Sequence, residues 1–250
     1  MDTSDIRTAR IQQIRRITDV ALEHNQFLTA ITGYEDKPTV SIEEAVIPLV
    51  KIVYMIQIQA TTAKNISKVR TSDLTEDEAA AILLYTMSWE PNEKCLFPIL
   101  NNALRLKDRS ILKPWFLYLK LFFVALDRLP AANQRLFRGV KKDMTDLYKL
   151  GRPVIWWGFS SCSTDEDIAK REEFCGKTGK RTMFIIDSIS GRDIRDYSYF
   201  QEENEVLILP ATQFQVVNCR EREPDFYEIH LTEMDASNSH RAPLPYPVGA

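Results

Sequence analysis

The pattern of apolar residues changes at Pro130, and this change limits the folds that the chain can adopt. Before Pro130, apolar residues recur at the spacing of helices. After it, short segments rich in β-branched and aromatic residues are bounded by turn residues, as in strands. Helices followed by strands favour an α+β fold over an alternating α/β fold.

The first half of the sequence predicts several helices. Apolar residues recur at helical spacing in Ile11–Ala21. The sequences SIEE at Ser41–Glu44 and TEDE at Thr75–Glu78 each fit a capping box, and an apolar run follows both. The helical pattern continues in Asn102–Arg109 and in Ile111–Leu129.

The second half predicts six strands with one helix, Asp165–Cys175, among them. The predicted strands are Leu136–Val140, Val154–Ser163, Thr182–Ile189, Glu205–Leu209, Phe214–Cys219 and Phe226–Leu231. We expect a helical region over 1–91, a core that contains the strands over 92–236 and a flexible, proline-containing tail over 237–250.

Charge and composition exclude several classes of protein. The 250 residues carry a formal net charge of −3, which does not favour a nucleic-acid or anionic-membrane surface. The most apolar run, Trp115–Leu126, is too short to span a bilayer and is expected to be a buried helix. The N-terminus has no apolar signal region, so we expect a cytoplasmic or intracellular protein, with a secreted, toxin-like role left open. A monomer is the default expectation.

The four cysteines and three histidines do not form a metal-ligand pattern. We therefore predict no metal site. Free thiols are favoured without an export signal, and a Cys95–Cys219 bridge is left open.

Arg138 is the first of three polar residues or clusters that interrupt predicted strands. It stands in RLFRGV, where burial of its charge is costly unless the guanidinium meets an anion such as a phosphate or carboxylate. Gly139 beside it would let a ligand approach the backbone. The alternative is an arginine on an edge strand that reaches solvent.

The second cluster is WWGFSSCSTD, Trp156–Asp165, in which hydroxyls end an apolar strand. These hydroxyls can bind ligand oxygens or orient a carboxylate. The alternative is that Ser163 or Thr164 is the N-cap of the following helix. A serine hydrolase is excluded, because the pattern is not GxSxG and no histidine lies nearby.

The third cluster is in YSYFQEENEVLILP, Tyr197–Pro210. In an extended segment, Glu203 and Glu205 would project to the same side and share a cleft. Two close carboxylates can divide their roles, one stabilising a developing cation and the other binding or deprotonating a nucleophile. The alternative is an acidic, solvated turn.

This order of an arginine, a Ser-x-Ser and a Glu-x-Glu on successive strands resembles the arginine-specific mono-ADP-ribosyltransferases of the R-S-E branch. The resemblance covers about residues 92–234 and is most specific in 190–210. It implies a helical subdomain followed by a mixed, two-sheet, β-sandwich-like NAD-binding core. It also implies NAD as co-substrate, without a metal, and arginine-containing proteins as targets.

The resemblance also implies roles for individual residues. Arg138 would bind an NAD phosphate and support the nicotinamide ribose, and the Gly139 backbone would hold the nicotinamide amide. Ser161 would bond the ribose and position the catalytic Glu205, with Ser163 also at the cofactor. Glu203 would engage the acceptor arginine. The segment Tyr197–Asn204 would read the target protein, with Tyr197 and Phe200 in recognition and Phe200 at the tip.

Two departures and two alternatives accompany this prediction. The family usually has Thr at Cys162 and often Tyr at Phe137, but neither position carries a key polar role. Cys162 could make the site sensitive to thiol oxidation. An NAD glycohydrolase of the same fold would use water as the acceptor, and an inactive module would bind NAD without consuming it.

Overall fold

The computed structural model of the protein describes residues 28–69, 73–234 and 242. The predicted helix in Ile11–Ala21 and most of the predicted tail lie outside these residues. Within these residues, five helices precede the strands: α1 Ile42–Val46, α2 Ile56–Ser67, α3 Glu76–Thr86, α4 Leu96–Leu104 and α5 Phe116–Arg128. Short 3₁₀ segments also precede the strands, at Ile47–Leu49, Asn92–Lys94 and Arg109–Trp115.

The capping sequences begin helices as predicted. The Ser41 hydroxyl accepts a hydrogen bond from the Glu44 N–H at the start of α1. At α3, Thr75 Oγ1 accepts from the Glu78 N–H at 3.3 Å, and the Glu78 carboxylate accepts from the Thr75 N–H at 2.8 Å. This reciprocal pair satisfies two backbone donors that the first helical turn leaves unbonded.

Two predicted helices have different bounds in the structure. Only the end of α4 overlaps the predicted Asn102–Arg109 segment. The first part of the predicted Ile111–Leu129 helix is 3₁₀, and α5 begins at Phe116, directly after Pro114 and Trp115. Proline lacks the N–H that a continuous α-helix requires, which is consistent with this later start.

Seven strands follow Pro130 in the described residues. They are β1 Ala131–Val140, β2 Pro153–Trp156, β3 Ser160–Ser163, β4 Arg181–Asp193, β5 Glu205–Ile208, β6 Thr212–Glu223 and β7 Phe226–Glu233. The predicted strand Val154–Ser163 is two strands, because the chain leaves the β2 ladder after Trp156 and begins a new one at Ser160. The predicted helix Asp165–Cys175 is reduced to one turn, α6 Glu166–Ala169.

The strands are linked in one hydrogen-bonded sheet that has two layers. One layer has the order β1-β4-β7-β6-β2, in which only β4 and β7 are parallel. The second layer is β3 paired with β5. It joins the first layer through one residue pair between β1 and β3 and through the end of β4.

Separate apolar clusters fill the spaces on the two sides of the β3–β5 layer. Cys162, Val206 and Ile208 pack with residues of the five-stranded layer. On the other side, Phe159 and Leu207 pack with the helices. The prediction of an α+β fold, with helices before a two-layer strand core, is confirmed.

The helical region and the strands share a hydrophobic core. This core includes α1 to α3 from before residue 91 and α4 and α5 from after it. The boundary at residue 91 therefore stays a prediction. The run Trp115–Leu126 is largely buried in this core, as expected, and no helix of the described residues is long and apolar enough to cross a membrane.

Candidate active site

Three neighbouring strands bring the arginine, the serines and the glutamates of the sequence motifs together. Phe137 of β1 pairs with Ser163 of β3, and Ser163 pairs in turn with Glu205 of β5. The ends of these strands therefore lie side by side, although the residues are far apart in sequence. Arg138 follows Phe137 directly.

Arg138 is fully buried, at 0% exposure, so the alternative of an edge arginine in solvent is wrong. Its Nη1 donates to the Ser161 carbonyl oxygen at 2.7 Å. The guanidinium carbon lies 5.8 Å from the centroid of the Trp156 ring, within the range of a cation–π contact. Arg138 thus fixes the backbone of β3 to β1 and places a positive charge inside the fold.

The three residues of the Ser-Cys-Ser sequence have different environments. The Ser161 hydroxyl is buried and forms no hydrogen bond with the described residues. The Ser163 hydroxyl donates to the Glu203 carbonyl at 2.9 Å and accepts from the Asp165 N–H. Cys162 points toward the interior of the strand layers. Ser163 therefore connects β3 to the turn Tyr197–Asn204, which carries Glu203 and is called the glutamate turn below. The N-cap of α6 is Asp165 rather than Ser163 or Thr164.

Glu203 and Glu205 are both buried, at 2% and 1% exposure, and both line one small cavity. The alternative of a solvated acidic turn is wrong for this pair, whereas Glu202 is exposed. The predicted extended backbone is also wrong: Glu203 ends a 3₁₀ turn and Asn204 has a left-handed φ of 48°. This tight turn, rather than strand alternation, directs both carboxylates to the cavity.

The glutamate turn has two anchors that the sequence did not reveal. The Ser198 hydroxyl donates to Glu205 Oε2 at 2.8 Å. The Tyr199 N–H donates to Thr86 Oγ1 at 2.8 Å, which ties the turn to the end of α3. No spacing rule marks Ser198 or Thr86, because both contacts depend on how the turn folds back.

Tyr197 and Phe200, which the resemblance assigns to target recognition, are both largely buried. Each is 6% exposed, whereas Tyr199 between them is 40% exposed. Tyr197 packs in the core shared with the helices. The aromatic side chain that this turn presents to solvent is therefore that of Tyr199, and Phe200 does not form an exposed tip.

A buried amide on α4 positions the start of β3. Asn101 Oδ1 accepts from the Phe159 N–H at 2.9 Å, and Asn101 Nδ2 donates to the Phe159 carbonyl at 3.1 Å. The side chain thus satisfies both backbone groups of the residue before Ser160. The sequence did not reveal this contact, although a polar residue inside an apolar helical run indicates a buried hydrogen-bonding role.

The segment around α6, residues 166–175, lies over the cavity. The cavity is lined by the polar residues Arg138, Glu203 and Glu205. It is also lined by Ile168, Ala169 and Phe174 of this segment. The cavity volume is about 10 Å³, enough for about one water molecule. The polar residues of the three strands are therefore closed off from bulk solvent.

Gly139 is packed against the same covering segment. A Cβ atom at this position would lie 2.2 Å from the Ala169 carbonyl oxygen and 2.6 Å from Cys175 Cβ. Glycine is thus required by packing against the protein itself. Burial raises the pKa of the adjacent Cys175 thiol to about 11, so this thiol is protonated at neutral pH.

The cysteines and the possible metal ligands form neither a disulfide nor a metal-binding cluster within the described residues. No disulfide joins the four cysteines, all of which lie in the described residues, and Cys95 Sγ instead contacts the Trp89 backbone. Within residues 28–69, 73–234 and 242, no group of three or more His, Cys, Asp or Glu side chains could hold a metal ion.

Solved structures with a similar fold include ADP-ribosyltransferases. The Vis toxin of Vibrio splendidus in complex with agmatine has a TM-score of 0.53 at 22% identity, covering 85% of this chain and 96% of the toxin. A eucaryotic mono-ADP-ribosyltransferase in complex with NADH has a TM-score of 0.57 at 20% identity, covering 81% and 90%. These likenesses define the fold as that of the ADP-ribosyltransferases.

The sequence defines the family. Residues 40–239 match the family described as NAD:arginine ADP-ribosyltransferase, and the chain belongs to this family. NAD(P)(+)--arginine ADP-ribosyltransferase 1 of Gallus gallus is 29% identical over 188 residues, 72% of this chain and 56% of the relative. Ecto-ADP-ribosyltransferase 5 of Bos taurus is 34% identical over 156 residues, 55% and 44%. The chain spans about half the length of these relatives.

Proposed function

We propose that the protein transfers ADP-ribose from NAD to arginine side chains of target proteins and releases nicotinamide. The observation that carries the proposal is that Arg138, Ser163, Glu203 and Glu205 line one buried cavity, and that Arg138 also donates to the carbonyl oxygen of Ser161. A chain of this family that brings these residues together has the groups that the reaction needs.

Arg138 and Ser161 would bind the donor. Arg138 is the buried cation of the site, suited to an NAD phosphate and to support of the nicotinamide ribose. The Ser161 hydroxyl is buried without a hydrogen bond to the described residues, and a ribose hydroxyl would satisfy it. The backbone of Gly139 would hold the nicotinamide amide, and Ser163 would act indirectly by fixing the glutamate turn.

Glu205 would act on the donor. Cleavage of the nicotinamide–ribose bond develops positive charge on the ribose, as in glycoside cleavage. A carboxylate held at the ribose stabilises that charge most effectively where solvent is excluded, as it is around Glu205. Glu205 would do this without forming a covalent bond.

Glu203 would act on the acceptor. A guanidinium with a pKa above about 12 is a poor nucleophile, and a carboxylate can hold it bidentately and take its proton as the new bond forms. Exposed Tyr199, beside buried Tyr197 and Phe200, is the aromatic of this turn best placed to meet a target protein.

NAD binding would require the segment around α6 to move. A cofactor of this size needs hundreds of cubic ångströms, far more than the small cavity beside Arg138 offers. Displacement of Ile168, Ala169 and Phe174 would open a path to Arg138 and Glu205. NAD is thus proposed as a substrate, and the prediction that no metal takes part is retained.

The partners and the location of the protein stay predictions. Arginine-bearing proteins are the proposed acceptors, and a monomer without nucleic-acid or membrane binding is expected. We retain an intracellular location as a proposal. One relative is named an ecto-enzyme and another is named GPI-linked, so an extracellular role is the competing proposal.

The proposed function is tested with labelled NAD and agmatine. We expect the wild type to label agmatine and Glu205→Gln to lose about 100- to 1000-fold in rate, the usual cost of removing such an electrostatic group. The matched control is Glu202→Gln, which changes an exposed glutamate of the same turn. NAD hydrolysis without labelled agmatine would indicate a glycohydrolase, and NAD binding without turnover would indicate an inactive module.

A further inference from the structure

Ser198 is a buried hydroxyl in direct contact with the glutamate that we propose to be catalytic. It is 0% exposed and lies in the turn between β4 and β5. Its Oγ donates to Glu205 Oε2 at 2.8 Å. Because the acceptor is a buried carboxylate, this contact restricts rotation of the carboxylate about its last side-chain bond.

The direction of the Ser198 hydroxyl is itself determined. Its oxygen accepts from the Phe200 N–H at 3.2 Å, and its backbone N–H donates to the Ile194 carbonyl at 2.8 Å. A hydroxyl has one proton, so a backbone donor on its oxygen leaves that proton for Glu205. Hydrogen bonds thus fix both the hydroxyl and the backbone of Ser198.

The turn that carries Ser198 is attached to the helical region. The next residue, Tyr199, donates its N–H to Thr86 Oγ1, and the Thr86 hydroxyl donates to the Leu83 carbonyl at 2.9 Å. Both Thr86 and Ser198 are fully buried. The last turn of α3 therefore sets the place of the residues that orient Glu205.

Ser161, the serine first expected to position the glutamate, has a different environment. Its hydroxyl forms no hydrogen bond with any described residue, and its carbonyl is the group that Arg138 contacts. In this structure the hydroxyl that orients Glu205 is that of Ser198.

We propose that Ser198 is the positioning residue of the Glu205 carboxylate, which leaves the Ser161 hydroxyl for the substrate. This inference rests on the proposed function of Glu205. A carboxylate displaced by about 1 Å from its productive position typically costs about 100-fold in rate. Removal of the Ser198 hydroxyl is expected to lower kcat about 10- to 100-fold, with a smaller change in the KM for NAD.

The test compares Ser198→Ala with Ser160→Ala. Ser160 is also buried, and its hydroxyl forms no hydrogen bond with the described residues, so Ser160→Ala reproduces the loss of a buried serine hydroxyl without touching Glu205. Both variants are assayed for agmatine labelling and for thermal unfolding. We expect Ser160→Ala to keep kcat and Ser198→Ala to lose it. Ser198→Cys has a side chain of nearly the same size that is a weaker hydrogen-bond donor, so we expect its rate to lie between those of the wild type and Ser198→Ala. This variant replaces Ser198→Ala in the test if Ser198→Ala fails to fold.

A double-mutant cycle separates positioning from a merely structural role. If Ser198 acts through Glu205, its removal has no further effect in a Glu205→Gln background. Equal fold losses in both backgrounds, or a Ser198→Ala rate equal to that of Ser160→Ala, would overturn the inference while the proposed function stands. A wild-type protein that neither labels agmatine nor hydrolyses NAD would overturn both.

Discussion

Glu205 and Glu228 are two carboxylates buried to a similar degree, at 1% and 4% exposure, but their partners differ. Glu228 on β7 accepts from Arg220 at 2.6 Å and from Arg222 at 2.6 Å. Glu205 on β5 accepts from the neutral hydroxyl of Ser198. A carboxylate clamped by two guanidinium groups stabilises a sheet, whereas one oriented by a hydroxyl beside a cavity is suited to act on a substrate.

The locations of the two glutamates support this contrast. Glu228 contacts arginines of the adjacent strand β6, and Arg222 also reaches Glu166 of α6, 3.9 Å away. Glu205 lies where β1, β3 and β5 meet, and it shares its cavity with Arg138 and Glu203. Burial alone therefore does not identify a catalytic acid, but burial beside a lined cavity does favour one.

The largest expected effect after loss of Glu205 itself concerns Glu203. Glu203→Gln should lower agmatine labelling by about 100-fold, since a general base contributes at least that much. It should retain NAD hydrolysis within about 10-fold, because water needs no clamp for a guanidinium. Assays of both products from one reaction, with Glu202→Gln as control, measure this division. Equal loss of both activities would contradict it.

Glu228→Gln is expected to act on stability. It removes charge-assisted hydrogen bonds from Arg220 and Arg222, each of which is about half exposed and can be resolvated. The expected loss is about 1–3 kcal/mol in the free energy of unfolding, measured in urea. Glu223→Gln, an exposed glutamate of β6, is the control. An unchanged urea midpoint in Glu228→Gln would place Glu228 outside the stabilising contacts.

The pH dependence of stability should report Glu228. Burial raises its pKa, but the hydrogen bonds and charges of Arg220 and Arg222 outweigh burial and leave the pKa lowered. A lowered folded-state pKa gives stability that is present above the unfolded value, near 4.3, and is lost as the pH falls through the folded value. The stability difference between wild type and Glu228→Gln should therefore shrink below about pH 4. A difference that stays constant down to about pH 3 would refute this assignment.

The smallest effect is expected at Cys175. Its buried thiol has a pKa of about 11 and should react with iodoacetamide far more slowly in the native protein than in urea. Mass spectrometry of alkylated peptides measures both rates, with partly exposed Cys219 as the internal comparison. Rapid native labelling of Cys175 would mean that the segment around α6 opens readily without NAD.

Local patterns predicted most of the fold. The capping sequences at Ser41 and Thr75 begin helices, although the reciprocal capping box forms at Thr75, and each predicted strand overlaps an observed one. The break between β2 and β3 was missed, because the largely apolar run Val154–Phe159 continues directly into the serines of β3 and only long-range pairing with β6 and β5 divides it. Sequence patterns contain little information about such partners.

The sequence indicated that the candidate residues are buried together, but it indicated only part of their geometry. Arg138, Glu203 and Glu205 are buried together, as their unusual positions in apolar strands indicated. The left-handed turn at Asn204 and the burial of Phe200 were not predicted, because both depend on how Tyr197–Asn204 folds against α3. Ser198 was missed for the same reason.

The most direct test of the contrast between the two carboxylates measures two quantities on the same variants. Urea unfolding and the rate of agmatine labelling are determined for Glu205→Gln and for Glu228→Gln. We predict that Glu205→Gln keeps the wild-type free energy of unfolding and loses about 100-fold or more in rate, and that Glu228→Gln loses stability and keeps its rate while folded. A Glu205→Gln protein that is destabilised but transfers ADP-ribose at the wild-type rate would contradict this account.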